Sequence, residues 1–476
     1  MWKLFVMSAV ESPESKRSHW ITLLGLLFFL AAAAVVSFRA ESNHSVPGTH
    51  TDESSIENEG YRDFQNAIYF PVRAVVSGIN PYSSEYQTEY HPDGRGFPPF
   101  APSSLLLHSP LAFLNLHTAE RVYLLFNFTL LILVCWMSLR QCKLPYALAA
   151  ALLLSGVVLL SRPGLMNFMG LQMTLLLVLG CLLALEFAHD HPGVSGFGLL
   201  LACCKPHFVI PLALIMLCRR NFSAVSLGIT FCVIANVATI SFIANQNGGA
   251  KEFFDQANEQ YAGFLESPSE VPHVRVSWTQ LDLHSVIARW IDVPETVVLN
   301  ASEESSDDTT QQEWSLSVLV AAGVLLFAAL MTLLERDPQQ RIGINSRTGV
   351  FALLVMLVWI YHQPYDALVL WIPMIALLAS DERIHAAMGG FSRGVLLLLM
   401  SVPMFNYATT NLVLGKLEFD NGVDTKPEGL DLLGELAHAW PWKAIVTANG
   451  IALAIAVLFV ALLILIGTRA SQASDD

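Results

Sequence analysis

Apolar stretches long enough to cross a lipid bilayer recur along almost the whole chain, and no other feature narrows its folding choices so far. A segment inside hydrocarbon must satisfy its own backbone hydrogen bonds, and a run of about 20 apolar residues does so as an α-helix. Composition agrees, since 54% of residues are apolar, 14% are charged and the mean hydropathy is +0.50. The expected fold is all-α, a polytopic membrane protein with about 10 full spans, at 20–38, 119–139, 145–161, 171–188, 223–244, 315–334, 349–361, 364–380, 391–408 and 446–467. The first run follows Lys3, Lys16 and Arg17, but no small-residue cleavage site closes it. It reads as a retained anchor with residues 1–19 in the cytoplasm, and ten crossings return the tail, 469–476, to the same side.

Two further stretches read as short helices. The run 194–218 is interrupted by Lys205-Pro206, which suggests two half-length helices entering and leaving by one face. Proline removes a backbone donor, and freed polar backbone is tolerated at membrane depth only against protein or a wet cavity. Residues 101–117, rich in Pro and Ser, look re-entrant or short for the same reason. If they span fully, the sidedness of everything up to Lys205 inverts.

Charge separates these topologies. The loops 39–100, 245–312 and 410–444 hold 27 acidic against 10 basic residues, a balance of −17 in a chain of net −14, so the remainder is +3. Arg140, Lys143, Arg219, Arg220, Arg336, Arg341, Arg347 and Arg469 all fall on the cytoplasmic side in the hairpin reading, as the positive-inside rule expects. The long acidic loops are then periplasmic or extracellular, on the outer side of the plasma (inner) membrane. Such a balance offers nothing to nucleic acid. The organisation is one membrane domain, 20–468, with those three outer loops and no separate soluble domain.

Within the first outer loop, Tyr61 to Ser77 carries Phe64, Ile68, Val72 and Val75 at helical spacing, broken by Pro71, and is expected to lie along the membrane interface. The second loop contains a helical stretch, Lys251 to Leu265, and an acidic patch, Ser302 to Thr310, expected to be solvated. No internal repeat of the kind common in transporters is visible. The seven cysteines all lie in or beside apolar runs, which argues against a disulfide framework and against zinc. Walker-type and dinucleotide fingerprints are absent, so a nucleotide is an unlikely direct donor. No tight carboxylate pair suggests a metal, and no cofactor is expected.

Asp63 is the distinctive carboxylate, about twenty residues beyond the first span and ahead of Asn80-Pro81-Tyr82. A pore or scaffold has no need of an acid at its rim, whereas surface chemistry does. The bland reading is that Asp63 is one of nine acidic residues in its loop.

The series Arg62-Asp63-Phe64, Gly78-Ile79-Asn80-Pro81-Tyr82, Phe97-Pro98-Pro99, Ser109-Pro110-Leu111, Lys205-Pro206, Arg219-Arg220, His362 and Tyr365-Asp366 resembles glycosyltransferase family 87 across roughly 20–410. The resemblance implies a GT-C fold with an active-site loop on the outer face. It also implies inverting transfer of a hexose, mannose foremost, from a polyprenyl-phosphate donor to a lipid or glycan acceptor among the membrane lipids. Two positions depart from the family pattern. Phe97 stands where Tyr is usual, and the Gly-Gln pair appears as Gly170-Leu171-Gln172, which puts Gln172 in doubt as a contact.

In that chemistry Asp63 is the base that deprotonates the acceptor, a role that supplies roughly 10²–10⁴-fold. Lys205 is the leading phosphate ligand, because a lysine at membrane depth costs about 2.5–3.5 kcal/mol. Its alternative is to snorkel or to tie down the hairpin. Arg162 either makes bidentate contacts to a phosphate or anchors a helix end. His362, Tyr365 and Asp366 surround a break between helices and could hold sugar or phosphate; Asp366 could also orient His362 or rival Asp63 as the base. Asn80 and Tyr82 shape the loop, with the aromatic face available to stack on sugar or lipid. Trp278, Trp290, Trp440 and Trp442 read as interfacial anchors. Outside the family the same chain reads as a transporter or flippase of lipid-linked sugar, or as a non-catalytic assembly subunit.

Overall fold

The computed structural model describes residues 13–44, 61–89, 100–144, 147–266, 281–290, 306–335, 342–360, 362–379, 382–409 and 442–475, and every regular element among them is helical. In chain order these are α1 (Pro13–His44), α2 (Arg62–Phe64), a π-helix (Gln65–Tyr69), α3 (Phe70–Val76), α4 (Ser84–Glu89), α5 (Pro102–His108) and a 3-10 helix (Ser109–Phe113). The bundle continues with α6 (Leu116–Gln141), α7 (Ala147–Leu160), α8 (Arg162–Gly170), α9 (Thr174–Glu186), α10 (Pro192–Ala202), α11 (Pro206–Cys218) and α12 (Phe222–Gln246). After α13 (Ala250–Glu266) and α14 (Leu283–Trp290) come α15 (Ser306–Leu334), α16 (Arg347–Val358), a 3-10 helix (Pro364–Leu370), α17 (Trp371–Leu378), α18 (Glu382–Phe405), a 3-10 turn (Tyr407–Thr409) and α19 (Trp442–Asp475). Phe97-Pro98-Pro99, Arg336, Arg341, Trp278, Trp440 and most of the loop 410–444 lie outside the described residues.

Five helices have the length and apolarity of a complete crossing: His19–Ala40, Leu116–Gln141, Phe222–Gln246, Met388–Thr409 and Lys443–Gly467. A sixth arises if α7 and α8, bent by 78°, count as one span. Several apolar helices of this kind mark a multi-pass membrane protein, but length alone yields five or six spans where hydropathy predicts ten. The other apolar runs fold as helices of 10–17 residues. Proline accounts for much of the difference. Pro163 follows Ser161-Arg162 where the α7 run would continue, and Pro364 opens a 3-10 helix where 364–380 would be a regular span. Gly164 makes the α8 fold-back feasible, since a Cβ there would lie 1.9 Å from the Val158 carbonyl oxygen.

Polar contacts sort the helix ends into two groups. At one end Arg219 Nη1 donates to the Glu335 carbonyl at 2.9 Å, Arg347 Nε meets Glu335 Oε1 at 3.2 Å, and Arg347 Nη1 reaches the Leu463 carbonyl at 3.1 Å. Glu186, at the end of α9, accepts from the Ile344 N–H, and Asn345 donates to the Gln141 carbonyl. The connection 342–347 thus gathers the ends of α6, α9, α11 and α19. Both feet of the 192–218 pair stand here, since α10 begins beside Glu186 and α11 ends at Arg219. Its tip, Cys203 to Lys205, reaches the opposite end, where the Cys204 carbonyl accepts from the Ala101 N–H at 3.0 Å.

That opposite end carries the loop elements. The short helices α5 and Ser109–Phe113 lie here, as the Pro- and Ser-rich composition predicts, and α13 matches the helix expected at 251–265. Residues 306–310 of the acidic patch form the first turns of α15. All seven cysteines are free thiols.

Candidate active site

Asp63 occupies the single turn α2, which runs directly into the π-helix and then α3. In the π-helix the Phe70 N–H bonds the Gln65 carbonyl, five residues back, just before Pro71, whose missing N–H leaves the ordinary ladder incomplete. Such wide turns are rare and concentrate at functional sites. Two anchors hold the segment. Glu120 Oε1 accepts from the Tyr61 N–H at 3.2 Å and from Gln65 Nε2 at 2.9 Å, and Phe64 stacks on Tyr123 at 4.9 Å. Tyr69 donates its hydroxyl to the Leu114 carbonyl at 2.9 Å. Gln65 through Tyr69 are all buried, so this stretch is packed inside protein where an interfacial helix with one wet face was expected.

The Asp63 side chain itself stays partly exposed. Gln172 Nε2 donates to its Oδ2 at 2.6 Å, so the residue the broken Gly-Gln pair put in doubt touches Asp63 directly. The geometry follows from the end of α8. Leu171 adopts the left-handed conformation, φ 53° and ψ 51°, and the Gln172 N–H returns to the Asn167 carbonyl at 2.9 Å. This is the six-to-one bond of a Schellman-type helix end, with leucine in the place glycine usually takes.

A second cluster forms around the Lys205 tip. Lys205 precedes Pro206, the first residue of α11, and is held extended as residues before proline are. Its Nζ lies 2.8 Å from Asp366 Oδ1, 4.6 Å from the centre of the Tyr365 ring and 5.6 Å from that of Phe100. The other Asp366 oxygen accepts from the Gln363 N–H at 3.1 Å and faces His362 Nδ1 at 3.3 Å. His207, two residues beyond Lys205, sets its ring 4.7 Å from that of His362. Among the described residues neither imidazole Nε2 has a hydrogen-bond partner. His207, His362 and Asp366 bring their ligand atoms within 4.8 Å of one another, close enough to hold a cation. The ammonium on Asp366 opposes that use, because it adds positive charge where the cation would sit; the arrangement suits an anion better.

Arg162 is fully buried at the start of α8. One nitrogen donates to the Thr409 carbonyl at 3.0 Å, while Nε and Nη1 have no partner among the described residues. Asn80 and Tyr82 lie elsewhere. The Asn80 amide donates to Gln256 Oε1 at 2.8 Å, its Oδ1 accepts from the Tyr82 N–H, and Tyr82 packs edge-on against Phe253 at 5.6 Å. Burial pushes the Tyr82 phenol well above the ordinary tyrosine range. Both residues pin the loop to α12 and α13, and neither presents a face to solvent. Trp290 is exposed, with Lys443 over its ring at 5.2 Å.

The Asp63 and Lys205 clusters share a mount, because α8 packs on both α2 and the 364–370 helix, and α9 also touches the latter. A family model described as glycosyltransferase family 87 matches residues 98–359, more than half of the chain. The chain belongs to glycosyltransferase family 87. No curated protein and no solved structure matches it.

This membrane glycosyltransferase therefore acts between a sugar donor and an acceptor. The matched stretch contains Arg162, Gly170, Gln172, Lys205 and His207, and excludes Asp63, Asn80, Tyr82, His362, Tyr365 and Asp366. Three residues at the glycosyltransferase site escaped the sequence reading: His207, Glu120 and Gly170. The first two carried a legible signal, since each is a polar side chain inside an apolar run.

Proposed function

We propose that this glycosyltransferase transfers a hexose, mannose foremost, from a polyprenyl-phosphate donor to a lipid or glycan acceptor at the outer face of the plasma membrane, inverting the sugar carbon. The observation that carries the reading is the pair of unlike poles on one mount: a partly exposed carboxylate held through one oxygen, and a buried cluster of Lys205, His207, His362 and Asp366. In one step the acceptor oxygen bonds the anomeric carbon, the carbon–oxygen bond to the phosphate breaks, and polyprenyl phosphate leaves with the electron pair. Asp63 takes the acceptor proton.

Asp63 suits the role better than Asp366. The oxygens of Asp366 already face an ammonium, a backbone N–H and an imidazole, so it has little capacity to accept a proton. Its task is to hold Lys205 and orient His362, leaving His362 Nε2 free for the departing phosphate. Arg162, with two donors unused, is a further phosphate ligand. One base suffices for inversion, so the paired carboxylates of retaining glycosidases are not required. The fold in this reading is of the GT-C type with ten crossings, the shorter helices crossing where the bilayer is thinned, and the basic connections cytoplasmic.

Membranes containing wild-type or Asp63→Asn protein, given radiolabelled polyprenyl-phosphate mannose, test the proposal. Expected is labelled product from the wild type and a loss of about 10²-fold or more in the variant. Equal transfer removes Asp63 from the mechanism. Movement of donor across the membrane without transfer, persisting in Asp63→Asn, favours a flippase.

A further inference from the structure

We infer that Gln172 is the positioning residue of the catalytic carboxylate, and that Gly170 provides the seat in which that carboxylate is held. The inference rests on Asp63 being the base.

The bond from Gln172 Nε2 to Oδ2 is the only hydrogen bond of the Asp63 side chain among the described residues. Gly170 approaches the same oxygen from another side, since a Cβ on it would lie 2.5 Å from Oδ2. One oxygen is thus gripped by an amide and a bare α-carbon, and Oδ1 is left to meet the acceptor hydroxyl. The donor is neutral. It fixes the orientation of the carboxylate without cancelling its charge, unlike the ammonium on Asp366, so Asp63 keeps its capacity to take a proton. Gln172 is itself immobilised: it is 5% exposed, its N–H closes the end of α8, and the left-handed Leu171 before it is fully buried. A backbone conformation unfavourable to leucine is retained where it directs an amide at the reacting carboxylate, as strained residues at active sites commonly do. Side-chain length matters as well. Asparagine is one methylene too short, and glutamate would set a second carboxylate against the first.

The test measures transfer from radiolabelled polyprenyl-phosphate mannose by the full-length protein, with Gln172→Met and Gly170→Ala placed in wild-type and Asp63→Asn backgrounds. In the wild-type background each substitution should lower kcat about 10²-fold while the donor KM stays within about twofold. For Gln172→Met the acid limb of the kcat/KM profile should move to higher pH, because a donor to the ionised form has been removed. In Asp63→Asn neither substitution should reduce the residual rate further, since there is no carboxylate left to position. Losses that multiply in both backgrounds, together with a lowered melting temperature, would assign Gln172 a merely structural role. An inactive Asp63→Asn beside a Gln172→Met protein with wild-type kcat and pH profile overturns this inference alone. Full transfer by Asp63→Asn overturns the base assignment.

Discussion

Lys205 Nζ and Asp366 Oδ1 lie 2.8 Å apart with side chains only 5% and 1% exposed, which joins the tip of the α10–α11 pair to the 364–370 helix. A charge pair so buried is costly to halve. Lys205→Met should destabilise the protein by about 3–5 kcal/mol, whereas Lys205→Met with Asp366→Leu should recover most of that loss. Neither variant should transfer sugar. Thermal melting in detergent beside the transfer assay separates the two effects, and a double variant with normal transfer would reduce the pair to a structural tie.

Arg162 makes the opposite prediction for stability. Its guanidinium is buried with a single backbone acceptor, so Arg162→Met removes an undercompensated charge and should raise the melting temperature. The donor KM should rise about tenfold or more if the free nitrogens grip its phosphate, and Arg162→Lys should not restore it. A fall in melting temperature with unchanged KM would mean that the arginine only anchors the helix.

Asn80 and Tyr82 should prove indifferent to chemistry. Asn80→Ala and Gln256→Ala each remove the same bond, and each should cost about 1 kcal/mol, with the double variant costing little more than either single one. Their kcat should stay within about twofold of wild type on the uniform-binding argument. A drop in kcat without a drop in stability would restore this loop to the site.

Sidedness can be read with a single thiol. Asp52→Cys introduces a cysteine in the first long loop, where the native chain has none. A membrane-impermeant maleimide should label it in intact cells. Labelling only after lysis would move Asp63 to the cytoplasm and exclude a donor presented outside.

Much of this architecture was legible from hydropathy and proline alone. The Lys205-Pro206 break, the short 102–113 helices and the helix at 250–266 all appear where the residues place them, because proline and interrupted apolarity act locally. Span length was harder to read. The apolar run 145–161 continues smoothly in composition through Ser161-Arg162-Pro163, yet the chain turns there by 78° because Ser161 caps a new helix and Gly164 admits the Val158 carbonyl. The site was half visible for a similar reason. Asp63, Lys205 and Asp366 announce themselves as charges, whereas Gln172 is an ordinary amide whose importance depends on a left-handed leucine, and left-handed leucines have no sequence signature.

The brevity of α9 and α11 has a consequence for how a lipid meets this protein. Each has 13 residues, about 20 Å of helix, whereas a typical hydrocarbon core is about 30 Å thick. Both run from the arginine-rich connection to the neighbourhood of Lys205 and Gln172, so these side chains sit sunken beneath one headgroup layer, in a dimple about 10 Å deep. A prenyl carrier can then glide in sideways with its tail still in oil, and turnover in nanodiscs is expected to decline as acyl chains lengthen and the dimple deepens.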